Sequence, residues 1–260
     1  MPNPDRDPWN ARWSDRRALR LLGARRPRRR RGRTLWWLAV LVATVGVGLG
    51  LPAWTQAVEA ARYPVSAADL AAGRSALDAI PVKGRAPTTG YDRSAFGQAW
   101  SDVNRNGCDT RNDILARDLT GTTFKPETRD CVVLAGTLDD PYSGGVRQFV
   151  RGAGSAAVQI DHVVALADAW QKGAQQWAPE TREAFANDPA NLLAVDGPLN
   201  QEKGAGDAAT WLPPNTGYRC VYVLRQVRVK AAYGLWVTAA ERDTMRRQLD
   251  RCVVAEVGAP

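Results

Sequence analysis

From Thr34 to Val58 the chain carries no charged side chain, and within that run Leu35–Trp54 is almost wholly apolar. A helix needs roughly 20 such residues to cross a bilayer. The run is therefore expected to be a transmembrane or signal segment over residues 34–58, because core helices rarely lack charge for this length. A basic arm, residues 1–33, precedes it with twelve arginines and three aspartates. Positive charge ahead of an apolar run places the N-terminus in the cytoplasm and everything downstream outside it. Two forms of this reading stay open. An uncleaved anchor would hold the chain at the membrane, and cleavage near Ala57 or Ala60 would release it. The run is longer than an ordinary signal-peptide core, which favours the anchor.

The whole chain has a net charge of +8, which suggests a basic nucleic-acid-binding face. Position changes that picture. The arm alone carries +9, and the remainder holds 23 basic and 24 acidic residues, a net of −1. Such a domain would need a local basic groove and a bound cation to receive phosphate. Apolar residues make up 45%, which excludes a disordered polyelectrolyte. Residues 59–90 are expected to form a short helix, starting near Ser66, and a linker. Residues 91–260 are expected to form one folded domain. Only one histidine is present, His162, which excludes zinc sites built on two or more.

The cysteines, Cys108, Cys131, Cys220 and Cys252, all lie beyond the apolar run. An even number in an exported domain predicts two disulfides. Residues 218–232 show helical apolar spacing, and Thr238 with Glu241 reads as a capping box opening a second helix. In an antiparallel helical hairpin Cys220 and Cys252 lie equidistant from the turn. They are therefore paired, leaving Cys108 with Cys131. Further helices are expected at 94–103, 109–118, 166–171, 180–186 and 198–203, and strands at 132–138, 146–150, 158–160 and 192–195.

The stretch that carries chemistry is Ile160-Asp161-His162-Val163-Val164. It is followed by Asn191-Leu192-Leu193-Ala194-Val195 and then by Asn200-Gln201-Glu202-Lys203-Gly204. The order is strand, Asp-His, excursion, Asn-strand and a short helix bearing Asn and Lys. This resembles the HNH, or ββα-metal, endonucleases. It is most similar to exported HNH-family proteins related to the C-terminal domain of the GmrSD restriction enzymes. The resemblance runs from about Tyr91 to Cys252. It includes Gly107-Cys108-Asp109-Thr110-Arg111, Leu138-Asp139-Asp140-Pro141-Tyr142 and Trp211-Leu212-Pro213-Pro214.

The resemblance implies an α+β fold, with a ββα-metal core, added helices and the disulfide-linked C-terminal helical hairpin. It implies a metal-dependent endonuclease that hydrolyses phosphodiester bonds of DNA, with RNA as the other substrate, outside the cytoplasm and as a monomer. His162 would be the general base, since an imidazole titrates near working pH. Asp161 and Asn200 would hold one divalent cation, Mg²⁺ before Mn²⁺, which suits oxygen ligands and stabilises phosphate and leaving oxygen. Asn191 would hold the loop bearing His162, and Lys203 would contact a phosphate oxygen. Adjacent strand residues face opposite ways, so Asp161 and His162 share a site only if the strand ends or bends there. The alternative is a non-catalytic, envelope-anchored protein that reuses the scaffold to bind nucleic acid or a surface partner. Asp109 reads as a helix cap, Asp139 and Asp140 as turn residues, and Arg111 as a salt-bridge or phosphate residue. Arg242, Arg246, Arg247 and Arg251 read as a solvated helix face.

Overall fold

The computed structural model describes residues 35–46 and 62–254. Residues 35–46 form a helix, α1, which belongs to one compact unit, while residues 62–254 belong to a second. Among the described residues no helix is long and apolar enough to cross a membrane. At 1.5 Å per residue α1 covers about 18 Å, short of a bilayer's roughly 30 Å. The expected membrane span therefore gains no support. The basic arm, Thr34, residues 47–58 and the cleavage positions near Ala57 and Ala60 lie outside the described residues.

The second unit begins with α2 (Ala67–Ala79), capped by Ser66, whose side chain accepts from the Asp69 amide at 3.0 Å. It packs against a helical hairpin, α7 (Arg219–Ala232) and α8 (Ala239–Asp250). Gly73 permits the close approach to α7: a Cβ there would lie 2.2 Å from the Leu224 Cδ2. The capping box of Thr238 and Glu241 opens α8 as its sequence indicates. Cys220 pairs with Cys252 across the hairpin, Cα atoms 5.5 Å apart, and Cys108 pairs with Cys131 at 5.0 Å.

The expected linker is stitched into the domain rather than free of it. The Lys83 amide donates to the Val237 carbonyl, Ala86 to Gln171, and Val237 in turn to Pro81. Glycine, proline and polar residues read as linker locally, yet their backbone groups find partners far along the chain.

Helix α3 (Thr110–Asp118) is capped by Asp109, which accepts from the Asn112 amide at 2.7 Å. It leads into β1 (Leu119–Phe124), β2 (Val133–Asp139) and β3 (Val146–Val150), an antiparallel sheet in that order. The first strand was not expected, because Leu-Thr-Gly-Thr-Thr-Phe offers little apolar alternation. The helix expected over 94–103 is instead a 3₁₀ turn, Arg93–Phe96. Gly97 at φ 77° ends it, and Trp100 follows in the left-handed region at φ 62°.

A second, two-stranded sheet joins β4 (Val158–His162) to β5 (Leu192–Asp196), antiparallel. The connection is an excursion through α4 (Leu166–Trp170) and α5 (Pro179–Asn187). Both faces of the pair are covered, which explains the unbroken apolar run of β5. Ile160, Leu192 and Ala194 pack with α3 and the three-stranded sheet, while Leu193 and Val195 face the helical hairpin. Helix α6 (Gly197–Lys203) follows at once, capped by Asp196, which accepts from the Leu199 amide at 2.9 Å.

An ionic cluster is buried among these elements. Lys172 Nζ donates to Asp207 at 2.8 Å and Glu241 at 2.6 Å and lies 2.5 Å from Asp168 as an ion pair. Lys230 Nζ meets Asp168 at 2.8 Å and Glu241 at 2.9 Å, and Arg85 pairs with Asp168 and Asp207. Both lysine side chains are fully buried. Burial alone would raise the Asp168 and Asp207 carboxyl groups, but the neighbouring cations hold both below the usual range. Their contribution to stability is therefore present above the unfolded carboxylate pKa, near 3.9, and is lost as pH falls below it. Lys230→Met removes one of the two buried cations that Asp168 and Glu241 share, leaving Lys172 between them, and chemical denaturation should show a loss of about 3–5 kcal/mol. Wild-type-like unfolding would show that the cluster does not stabilise the fold.

Candidate active site

Strand β4 stays paired through its last residue: Asp161 faces Leu193 and His162 faces Leu192 across the ladder. The bend expected at Asp-His comes one residue later. Cross-strand partners share a face, so the two side chains leave the hairpin on opposite sides. Asp161 points with Leu193 toward the helical hairpin, and His162 points with Leu192 toward Trp100.

Asp161 is 5% exposed. Its Oδ1 accepts from Lys203 Nζ at 2.8 Å and its Oδ2 from the Tyr142 hydroxyl at 2.5 Å. Burial raises the Asp161 carboxyl above its usual range, with Lys203 and Tyr142 opposing. Burial and the Asp161 charge push the Tyr142 phenol well up, so it remains a donor. Tyr142 is set by the turn before β3. Asp140 accepts from the amides of Tyr142, Ser143 and Asp196, tying that turn to the end of β5.

Helix α6 delivers two of the expected residues. Asn200 and Lys203, three apart, share a helix face. Lys203 is fully buried and donates also to the His162 carbonyl at 2.8 Å. From there it does not reach out to a phosphate. The Asn200 Nδ2 donates to Gln159 Oε1 at 3.0 Å. Gly197 admits the helix here, since a Cβ would lie 2.0 Å from the Ala156 carbonyl oxygen.

His162 Nε2 lies 2.8 Å from the Ala186 carbonyl oxygen, at the end of α5. A carbonyl only accepts, so Nε2 carries the proton and Nδ1 holds the free lone pair. Burial, helped by the charges of Arg93 and Lys203 and opposed by the Ala186 carbonyl, lowers the imidazole pKa to about 4. Trp100 stacks against the ring with centroids 6.3 Å apart. Asn191 is fully buried and holds the turn after His162. Its Oδ1 accepts from the Val164 amide at 2.8 Å, its Nδ2 donates to the Val164 carbonyl at 3.2 Å, and its carbonyl accepts from Val163 at 2.8 Å.

Asp161, His162, Asn200, Gln159, Tyr91 and Arg93 line one cavity of about 300 Å³. Arg93 also borders the depression between Trp100 and His162. It is exposed, and no ion pair or hydrogen bond engages it among the described residues. Neither Arg93 nor Trp100 carried a local signal. Tyr142 sat in a motif that read only as a turn. Arg111 lies over the Phe149 ring at 5.6 Å, and Arg246 pairs with Asp78 at 2.6 Å.

Asp161 and Asn200 are the residues that would hold a divalent ion. The single carboxylate already has both oxygens engaged and its charge offset by Lys203. Among the described residues no three His, Cys, Asp or Glu side chains converge on a metal position. As arranged, this donor set does not fit a divalent cation.

The family described as GmrSD restriction endonucleases, C-terminal domain, matches residues 109–248. The chain belongs to that family. A protein of Arthroderma benhamiae described as an uncharacterized secreted protein is 33% identical over 218 residues, covering 83% of this chain and 98% of the relative. No solved structure matches.

The imidazole environment makes a direct prediction. In NMR spectra the ring signals of His162 should stay in the neutral form from pH 8 to pH 5 and shift only near pH 4. A midpoint close to the ordinary 6.5 would contradict the buried, carbonyl-anchored ring.

Proposed function

We propose that this chain is a nuclease that hydrolyses phosphodiester bonds of nucleic acid, DNA in the first place, with His162 as general base. One observation carries the assignment: a buried neutral imidazole whose Nε2–H is held by the Ala186 carbonyl, leaving Nδ1 to take a proton from water. Family membership supports nuclease chemistry. The succession β4, β5, α6 supports the ββα reading of the core. In this proposal Asn191 keeps the turn after His162 in place, and Lys203 and Tyr142 hold Asp161 beneath the cavity floor. Arg93 faces the incoming phosphate. Mg²⁺ or Mn²⁺ at Asp161 and Asn200 would require Lys203 to leave Asp161. The two disulfides and the likeness to a secreted relative support an extracytoplasmic place of action.

A second reading, a non-catalytic protein binding nucleic acid or a surface partner, is favoured by one observation. His162 is only 7% exposed, so water and substrate reach it through a narrow opening.

Plasmid nicking separates the two readings. His162→Ala should lower the rate by about 10²–10⁴-fold, the usual worth of a general base, while the circular dichroism stays native. Full retained activity would remove His162 from the base role. Cleavage of neither DNA nor RNA by the wild type, with EDTA, Mg²⁺ or Mn²⁺, would favour the binding reading. Arg93→Ala should raise KM several-fold with kcat little changed, and should reduce the salt slope of binding by about one phosphate contact.

A further inference from the structure

The segment between Trp100 and α3 carries a pattern that the candidate active site does not use. Counting from Asp102, oxygen-bearing side chains stand at the first, third and fifth places: Asp102, Asn104 and Asn106. Glycine stands at the sixth, Gly107, and a carboxylate at the twelfth, Asp113. This is the linear signature of a twelve-residue calcium loop, with aspartate in place of the usual final glutamate. We propose that Asp102–Asp113 binds one calcium ion, at a site separate from His162 and independent of the nuclease reading.

The folded chain brings those places together. Asp113, on the first turn of α3, accepts from Asn106 Nδ2 at 2.9 Å and from Asn104 Nδ2 at 3.1 Å. The Asp102 oxygens accept from the Asn106 amide at 3.1 Å and the Gly107 amide at 2.8 Å. Gly107 has φ 90° and Arg105 φ 56°, so the sixth and fourth places both take the left-handed turn that wraps such a loop around its ion. The two asparagine N–H groups meet the Asp113 carboxylate where a cation would sit. Their Oδ1 atoms accept from the loop's own amides, Asn104 from Asn106 at 3.0 Å and Asn106 from Cys108 at 2.8 Å, so an arriving ion would displace the N–H groups from Asp113 and draw those oxygens inward by side-chain rotation. The seventh place, which contributes a backbone carbonyl in such loops, is Cys108, tied by its disulfide to Cys131. The neighbouring Asp109 is not available, since it caps α3 through the amide and side chain of Asn112.

Two of the four side-chain donors are neutral amides, so the site is not a cluster of acids. The two carboxylates just balance a dication. Carbonyl, amide and carboxylate oxygens in a flexible loop suit calcium, whereas magnesium demands near-ideal octahedral geometry and gives up water reluctantly. The low ligand charge and the short final aspartate place the affinity with the weak extracellular modules, Kd about 10⁻⁴–10⁻³ M.

The test uses the full, disulfide-bonded chain stripped with EDTA and titrated calorimetrically with CaCl₂ and, separately, MgCl₂. One saturable calcium site in that range, with weaker magnesium binding, is expected. Calcium at 10 mM should shift the folding equilibrium by about 10- to 100-fold and raise Tm accordingly. Asp113→Asn should abolish saturable binding, and His162→Ala should retain it, which separates this site from the catalytic proposal. If Asp113→Asn does not fold, Asn104→Ala decides, with a weakened calcium isotherm expected. Absence of saturable binding in the wild type, or undiminished binding in the loop variants, overturns the proposal.

Discussion

The fold hangs on a set of charges that is buried except for one half-exposed arginine, Arg85. Arg85, Lys172 and Lys230 face Asp168, Asp207 and Glu241, three against three, and they come from five stretches of chain far apart in sequence. Taking such groups out of water is costly, and only complete mutual pairing offsets the cost. Helix α4, which carries Asp168, begins four residues after His162, so the registration of the candidate site against the helical hairpin is set through this cluster.

The hairpin separates the two residues that sit side by side in sequence. Asp161 works inward, where Lys203 and Tyr142 absorb its charge, and His162 works on the other face, under Trp100 and against Ala186. What links them is backbone: Lys203 also holds the His162 carbonyl. The inward group thus governs the conformation of the outward one. A neutral, carbonyl-anchored imidazole does not need the adjacent aspartate to set its protonation.

Much of this was legible because it is local. Cap residues, helical spacing and turn chemistry located the C-terminal hairpin, both disulfides, the Asp109 cap and the strands flanking Asp161 and Asn191. The α+β class came with the family resemblance. The parts that were not legible depend on partners far along the chain. Strand β1 forms because β2 lies beside it, not because Leu-Thr-Gly-Thr-Thr-Phe favours extension. Residues 81–86 look like a linker until Val237 and Gln171 receive their amides. Glu241 read correctly as a capping-box residue, and that reading concealed its second role among the buried charges. In the candidate site, Asn200 and Lys203 stood out through the family resemblance. Arg93, Trp100 and Tyr142 did not, because each reaches the site from an irregular turn.

The ionic cluster also has a consequence for where the domain can be cut. The family match covers residues 109–248, and that span retains Lys172, Lys230, Asp168, Asp207 and Glu241. It omits Arg85. A piece trimmed to the match would enclose two cations against three anions, with the Asp207 carboxylate deprived of one partner and the interior left carrying a net negative charge. Charge balance, rather than recognisable likeness to relatives, thus argues for a unit that reaches back at least to Arg85.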